Sequence, residues 1–546
     1  MAGTTKLNRD STENSENTEN TENTQKESAS GFLGVIEKVG NKLPDPFWLF
    51  VILSGVVVVA SWIGARIGMS AEDPGTGETI RVESLLTAEN ISRMVTDAVE
   101  NFISFPPLGV ILAVMLGVAV AEQTGLLSAL VRAMVAKVGP KMLTFMVALA
   151  GVTGSVASDA IYVIIIPLGA MAFYAVGRSP IVGAMVAFAA SSAGFNASLV
   201  LNITDLLLAG ISTSAAQIVD SEYVVSPLAN IFFVIPSAVV LALIITAVTE
   251  LFVDKKAHQL VDHDDLNESE LSFDNAVDAD TPDDATGDDL ELSPTESKAL
   301  LAAGVTLLVF LAVFFLLLFL PASPLATPEE GFMNSPLITA IAVPIAIGFF
   351  LCGLAYGLVA GTISSGAGIP EMMAAGLKTL LPMLVLFFAV SQFLAWFQWS
   401  NLGSWTAIRG SELLQRWDLP VVLLFTGFIA MVTLINLLIT SGSAQWALMA
   451  PVVVPMMMYV GISPEVTQML YRVGDSPTNI ITPMSPYFAL ALTFLQRYYK
   501  KAGVGTLMSL ALPYSMSMLI GWFIFFLIWY FLGIPFGPGS PMSYEL

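Results

Sequence analysis

Residues 437–487 read LLITSGSAQWALMAPVVVPMMMYVGISPEVTQMLYRVGDSPTNIITPMSPY. This stretch places Ser441, Ser443 and Gln445, then Arg472, Asp475 and Asn479, with six prolines, inside sequence otherwise apolar enough for a membrane. Lipid offers no hydrogen bonds to a broken backbone. Such sequence survives at membrane depth only where it is buried in protein or lines a watery cavity. Helices broken around a midplane site mark secondary transporters, so the segment predicts a solute carrier with its site here.

Composition agrees. Hydrophobic residues make up 55% of the 546 residues and charged residues 12%, against about 25% charged in soluble domains. The fold class expected is an all-α polytopic membrane protein. Cys352 is the single cysteine, so no disulfide forms within the chain, and both histidines, His258 and His263, fall in one polar segment. Histidine-based metal sites and Ser/His catalysis are thereby excluded from the membrane region. The net charge of −22 is concentrated in 254–296, which holds 15 carboxylates against Lys255 and Lys256. That composition predicts a solvated, disordered acidic loop. Residues 1–30 are too polar to fold alone and lack the apolar core of a signal peptide. No basic patch suits nucleic acid.

Apolar runs predict about nine transmembrane helices, near 46–67, 107–125, 181–210, 229–252, 299–320, 337–359, 379–398, 465–495 and 507–533. Two further stretches, about 144–176 and 420–460, are interrupted by GVTGSVASD and TSGSAQ. Each reads as a re-entrant helical hairpin. The expected organisation is a disordered cytoplasmic N-terminus (1–45), a first membrane half (46–252), the acidic cytoplasmic loop (253–298), a second membrane half (299–535) and an external tail (536–546). With the N-terminus inside, Arg132, Lys141, Arg178, Lys255, Lys378, Arg497 and Lys500 all fall inside, the external 68–106 loop is acid-rich, and Arg409 and Arg416 are external exceptions to the positive-inside pattern.

The halves also repeat. Thr153-Gly154-Ser155 precedes Pro167, and Ser441-Gly442-Ser443 precedes Pro455, with the same eleven residues between. Gly177-x-Ser179-Pro180 matches Gly461-x-Ser463-Pro464. Ser192 and Asn196 then correspond to Ser476 and Asn479, the asparagines offset by one. One set starts inside and the other outside, so the repeat is inverted, and its discontinuous helices point to the substrate site.

The deep ionisable groups are Asp159, Arg472 and Asp475, each costly in a membrane helix. Arg472 and Asp475, three apart, share a helical face. They could neutralise each other, or Asp475 could face a cation while Arg472 meets an anionic solute. Asn436, Thr440, Ser441, Ser443, Asn196 and Asn479 can add neutral oxygens, a set that suits Na⁺. Trp446 could stack on an aromatic solute or fill the hairpin interface. Glu122 and Asp205 fall near helix ends and are expected to be wetted.

Five segments resemble the AbgT family of p-aminobenzoyl-glutamate transporters: SVASDAIYVIIIPL (155–168), AFAASSAGFNASLVL (187–201), SQFLAWFQWSNLG (391–403), NLLITSGSAQWALMAPVVVP (436–455) and YRVGDSPTNIITPMSPYF (471–488). The resemblance implies a homodimer of nine-span protomers with two re-entrant hairpins. It implies cation-coupled movement of p-aminobenzoyl-glutamate, with some relatives exporting sulfonamide antimetabolites by a proton gradient. Its important positions match Asp159, Asn436, Ser443, Trp446, Pro464, Arg472, Asp475 and Pro483. The resulting expectation is a substrate site of Ser443, Trp446, Arg472, Asp159, Pro464 and Pro483. A cation site is expected at Asp475, Asn436, Asn479, Ser441 and Asn196, with Na⁺ or H⁺ as coupling ion. Two membrane carboxylates also admit an intramembrane aspartyl protease. That chemistry needs a close dyad sharing a proton, and the arginine of Arg472-Val-Gly-Asp475 opposes it. A channel would conduct without coupling.

Overall fold

The computed structural model describes residues 44–135, 138–157, 160–261, 266–267, 292–327 and 331–545. The expected N-terminal disorder, most of the acidic loop and Asp159 lie outside them. The described chain is helical apart from one small antiparallel pair, Ser70–Glu72 with Thr79–Arg81.

Among the described residues, seven helices are long and apolar enough to cross a membrane: Pro46–Ile67, Pro106–Gln123, Ile231–Leu260, Pro294–Phe319, Ala342–Ala360, Leu381–Trp399 and Val504–Phe531. Their ends follow from local chemistry. Pro46 opens the first helix behind Asp45, whose carboxylate accepts from Phe47 N, and Gly68 at φ 72° ends it. Ser293 and Glu296 form a capping box at the start of Pro294–Phe319. Helix pairs approach where side chains are small. A Cβ on Gly117 would lie 2.0 Å from Ala346 O, and one on Gly353 would lie 2.6 Å from Ala121 N, the close backbone contact that small residues allow between membrane helices.

The other two expected spans, 181–210 and 465–495, are not continuous helices. Pro180–Phe188 runs into a π turn, Ala189–Ala193, then loses helical form before Ile203–Ala216. Pro464–Asp475 passes through a 3₁₀ turn, Ser476–Thr478, and a non-helical link to Pro486–Tyr498. Pro477 and Pro483 cannot donate to a helical ladder, which accounts for the second break.

Each interrupted stretch is a pair of helices. Leu143–Thr153 and a short 3₁₀ turn precede Ala160–Ala175, and Val421–Asn436 precedes Gly442–Met458. In the second pair Gln445 Nε2 donates to Val432 O at 2.9 Å. Thirteen residues of straight helix would hold those atoms about 20 Å apart, so the chain doubles back at its TSG tip.

Both helix pairs end in the same kind of corner. Gly177 and Gly461 sit at φ 75° and 85°. Arg178 N and Ile462 N reach back five residues to Phe173 O and Met457 O, while the glycine amides reach back three, to Tyr174 O and Met458 O. These are twin Schellman motifs. Each is followed by an N-cap serine and an N1 proline, Ser179-Pro180 and Ser463-Pro464.

The corners lie at opposite ends of the molecule. Beside the first, Arg178 pairs with Glu250 (2.9 Å) and Asp254 (3.6 Å) near the end of the Ile231–Leu260 helix. Beside the second, Ser463 Oγ donates to Pro541 O, and the next residue back, Ser540, donates to Ala229 O just before that helix begins. A 30-residue helix is about 45 Å long. The two halves are therefore inverted, as their sequence repeat requires.

Arg409 pairs with Glu412 (2.9 Å) and donates to Ser70 O (2.8 Å).

Candidate functional site

The unwound segments and the hairpin tips meet at a cavity of about 400 Å³. The first half contributes Ser155, Tyr162, Ser191, Phe195, Asn196 and Thr204 to its wall; the second contributes Thr440, Ser441, Gly442, Ser443, Asp475, Asn479 and Tyr487. Pockets for small molecules span about 300–1,000 Å³.

Asp475 ends its helix fully buried. Its Oδ2 accepts from Asn196 Nδ2 at 2.9 Å, across the interface between halves, while Oδ1 has no hydrogen-bond partner among the described residues. Asn436, at the end of the first hairpin arm of the second half, donates from Nδ2 to Asp475 O and to Thr478 Oγ1 (2.8 Å), with Asn479 Oδ1 at 3.1 Å. A Cβ on Gly442 would sit 3.0 Å from Asp475 Oδ2, so any larger residue at the tip would press on the carboxylate. Tyr471 Oη donates to Gly442 O at 2.5 Å and fixes the tip.

Among the described residues, the buried oxygens here that lack a hydrogen-bond partner include Asp475 Oδ1, Asn436 Oδ1, Asn196 Oδ1, Ser192 Oγ and Ser476 Oγ. Orphaned buried acceptors are costly and call for an occupant. Among the described residues no three His, Cys, Asp or Glu side chains gather to hold a metal. Among the described residues the donor set is one carboxylate with neutral oxygens, which fits a hard monovalent cation rather than a transition metal.

Arg472 does not pair with Asp475. Its Nη2 lies 2.6 Å from Asp205 Oδ1, and its Nη1 donates to Asn196 O at 3.3 Å. The expectation that Asp205 is wetted is corrected: it is 4% exposed. Asp205 closes a capping box with Asn202 at the start of Ile203–Ala216. Asn202 in turn donates to Ser155 Oγ at the first tip (3.2 Å). Asn202-Ile-Thr-Asp205 is a capping-box signature legible in the sequence. It marks a helix start, and so the break in 181–210.

Trp446 is fully buried, stacks on Tyr471 (4.5 Å between centroids) and donates from Nε1 to Ser212 Oγ at 3.0 Å. Ser212 continues to Gln468 Oε1 at 2.7 Å. Neither Trp446 nor Arg472 lines the cavity. Pro464 opens the Pro464–Asp475 helix and Pro483 lies in the non-helical link; neither lines the cavity. Of the expected site residues, Ser441, Ser443, Asn196, Asp475 and Asn479 do line it. Asn436 stands directly behind Asp475.

The comparisons with known proteins complete this picture. The model of the AbgT putative transporter family matches residues 31–544. This chain belongs to the AbgT family. It is 36% identical over 516 residues to the p-aminobenzoyl-glutamate transport protein of Escherichia coli (strain K12), covering 94% of this chain and 97% of that one. The crystal structure of the Alcanivorax borkumensis YdaH transporter superposes with TM-score 0.81 at 38% identity, covering 91% of this chain and all of that one. Neisseria gonorrhoeae MtrF, from a class described as antimetabolite efflux pumps, superposes with TM-score 0.86 at 40% identity, covering 94% of this chain and all of that one. As an AbgT-family member the chain is a multi-pass membrane transporter for a small molecule.

Proposed function

We propose that this AbgT-family chain moves p-aminobenzoyl-glutamate, or a related aromatic carboxylate, across the membrane in exchange for the free energy of a Na⁺ gradient. The observation that carries the coupling ion is the cluster of orphaned oxygens around Asp475. The solute class follows from the Escherichia coli relative. The cavity beside the cluster would hold the solute, with Ser443 and the hairpin-tip backbone available to a carboxylate. Arg472, engaged by Asp205, would help hold the two halves in register. The two broken helices count as spans eight and nine. Each helix pair would enter and leave on a single side, the first inside and the second outside, and the protein would work as a pair of copies with the N-terminus inside and the C-terminus outside.

Counterflow of labelled p-aminobenzoyl-glutamate in proteoliposomes, under imposed Na⁺ or H⁺ gradients, tests the function. Saturable uptake driven by Na⁺ is expected. Full transport driven by protons alone, with a sulfonamide preferred, would instead make this chain an exporter of the kind named for MtrF.

Asp475→Asn is expected to abolish Na⁺-driven accumulation while leaving the protein folded. In the unsubstituted protein, Na⁺ at about a hundred times its Kd should add ~2.7 kcal/mol to stability. That Na⁺-dependent shift in thermal unfolding should vanish in Asp475→Asn, and an unchanged shift would remove Asp475 from the cation site.

Sidedness has a separate test. Cysteines at the exposed positions Ser221 and Lys500, with the buried Cys352 as background, should react with an impermeant thiol reagent from opposite sides. Ser221 is expected outside and Lys500 inside; reaction of both from one side would break the inverted arrangement across the membrane.

A further inference from the structure

The cavity wall carries three aromatic side chains, Tyr162, Phe195 and Tyr487. Two of them are stacked face to face. The rings of Tyr162 and Tyr487 lie 3.9 Å apart between centroids, with 9° between their planes. They come from opposite halves: Tyr162 from the first turn of Ala160–Ala175, just beyond the first hairpin tip, and Tyr487 from the first turn of Pro486–Tyr498, just beyond the second unwound link.

Their environments differ. Tyr162 is 6% exposed and its hydroxyl donates to Ser191 O at 3.3 Å, which fixes its plane against the first-half π turn. Tyr487 is only half-buried. Parallel rings at such short separation are uncommon beside offset and edge-on arrangements unless the surroundings hold them so. Here the hydroxyl bond of Tyr162 does the holding, and Tyr487 presents its ring to the cavity. Trp446, the tryptophan of the second hairpin tip, is buried away from the cavity and cannot serve.

We infer that the Tyr162–Tyr487 stack is the subsite for the planar aryl group of the transported solute. Tyr487 provides the contact surface and Tyr162 orients it. This rests on the proposed aromatic-carboxylate solute and adds where its ring is read. The carboxylate end would then lie toward the Ser441–Ser443 tip on the same wall. Because the two tyrosines belong to different halves, packing an aryl ring against them senses how the halves are disposed, which a carboxylate contact on one tip alone does not.

The test compares affinities of purified protein for p-aminobenzoyl-glutamate and for N-acetyl-glutamate, which keeps the glutamate end and lacks the ring. The readout is the aryl preference, the ratio of the two Kd values. Tyr487→Ala is expected to weaken p-aminobenzoyl-glutamate binding by about three- to tenfold, the range that aromatic pairs span, and to leave N-acetyl-glutamate unchanged. Tyr487→Phe should keep the preference, since it keeps the ring. Tyr487→Leu retains bulk without a π face and should lose the preference if the alanine variant does not fold. An unaltered preference in both Tyr487→Ala and Tyr487→Leu, or an equal loss for both ligands, overturns the subsite while the transport function stands. Failure of the unsubstituted protein to bind p-aminobenzoyl-glutamate overturns the proposed function, and the ring site with it.

Discussion

Trp446→Ala is expected to cost about 3–5 kcal/mol of stability, the range for removing a large aromatic from a packed core, and to depress transport of every solute alike. The reason lies in what Trp446 touches. Its ring is fully buried against Tyr471, and its Nε1 donates to Ser212 Oγ, which bonds onward to Gln468. The truncation opens a cavity and removes the donor to Ser212 at the same place. Tyr471 then loses the ring that backs it while holding the Gly442 tip. A loose tip misplaces Ser441, Ser443 and the approach to Asp475 together. Measuring thermal unfolding in detergent beside affinities for p-aminobenzoyl-glutamate and for N-acetyl-glutamate checks this. A stable variant that loses only the aromatic ligand would show that Trp446 reads the solute's ring.

Asp205→Asn carries the second large effect. It leaves the Arg472 guanidinium, 1% exposed, without its carboxylate. Removing one partner of a buried ion pair costs about 3–5 kcal/mol, because the remaining charge stays in a poor solvent. Replacing both partners by apolar residues, Asp205→Leu with Arg472→Met, is expected to recover most of that stability. It should not recover transport, since the pair ties the Ile203–Ala216 helix of one half to the Pro464–Asp475 helix of the other, and Nη1 also holds Asn196 O beside Asp475. Unfolding curves of the single and double variants, with counterflow on both, check it. Full transport by the apolar pair would reduce the ion pair to a packing element. Arg472→Lys is expected to fall between, because an ammonium cannot reproduce the planar fork.

Breaks are legible in the sequence where the breaking residues are local. The TSG tip before Gly442, the Gly177 and Gly461 corners and the interruptions after Thr153 and Asp475 all follow from glycine, proline and serine chemistry acting over a few residues. The break within 181–210 was missed: GFNASLVLN is apolar enough to read as span, and its only warning is the Asn202–Asp205 capping box. Five of the eleven expected site residues line the cavity and a sixth, Asn436, backs it. Each belongs to a hairpin tip or an unwound segment, where a polar side chain stands out against apolar neighbours.

Pairing was not legible in the same way. Arg472 and Asp475, three residues apart, suggest each other as partners, yet Arg472 turns to Asp205, far off in sequence and in the other half, while Asp475 meets Asn196. Periodicity reports which face a residue occupies and says nothing of what a different helix brings to that face. Trp446 shows the same limit, since a tryptophan at a hairpin tip can face a cavity or the core, and only the neighbouring Tyr471 and Ser212 settle which.

The sequence by itself determined the class of molecule, the inverted pair of broken halves and several of the segments that line the cavity. Hydropathy, proline, glycine and capping residues act locally, and lipid leaves few alternatives for a backbone that must satisfy its own hydrogen bonds. Only the tertiary structure decided the partner of each buried charge, the oxygens left open around Asp475 and the stacking of Tyr162 on Tyr487. Those outcomes depend on how two halves pack against each other, and that packing is a property of no single segment.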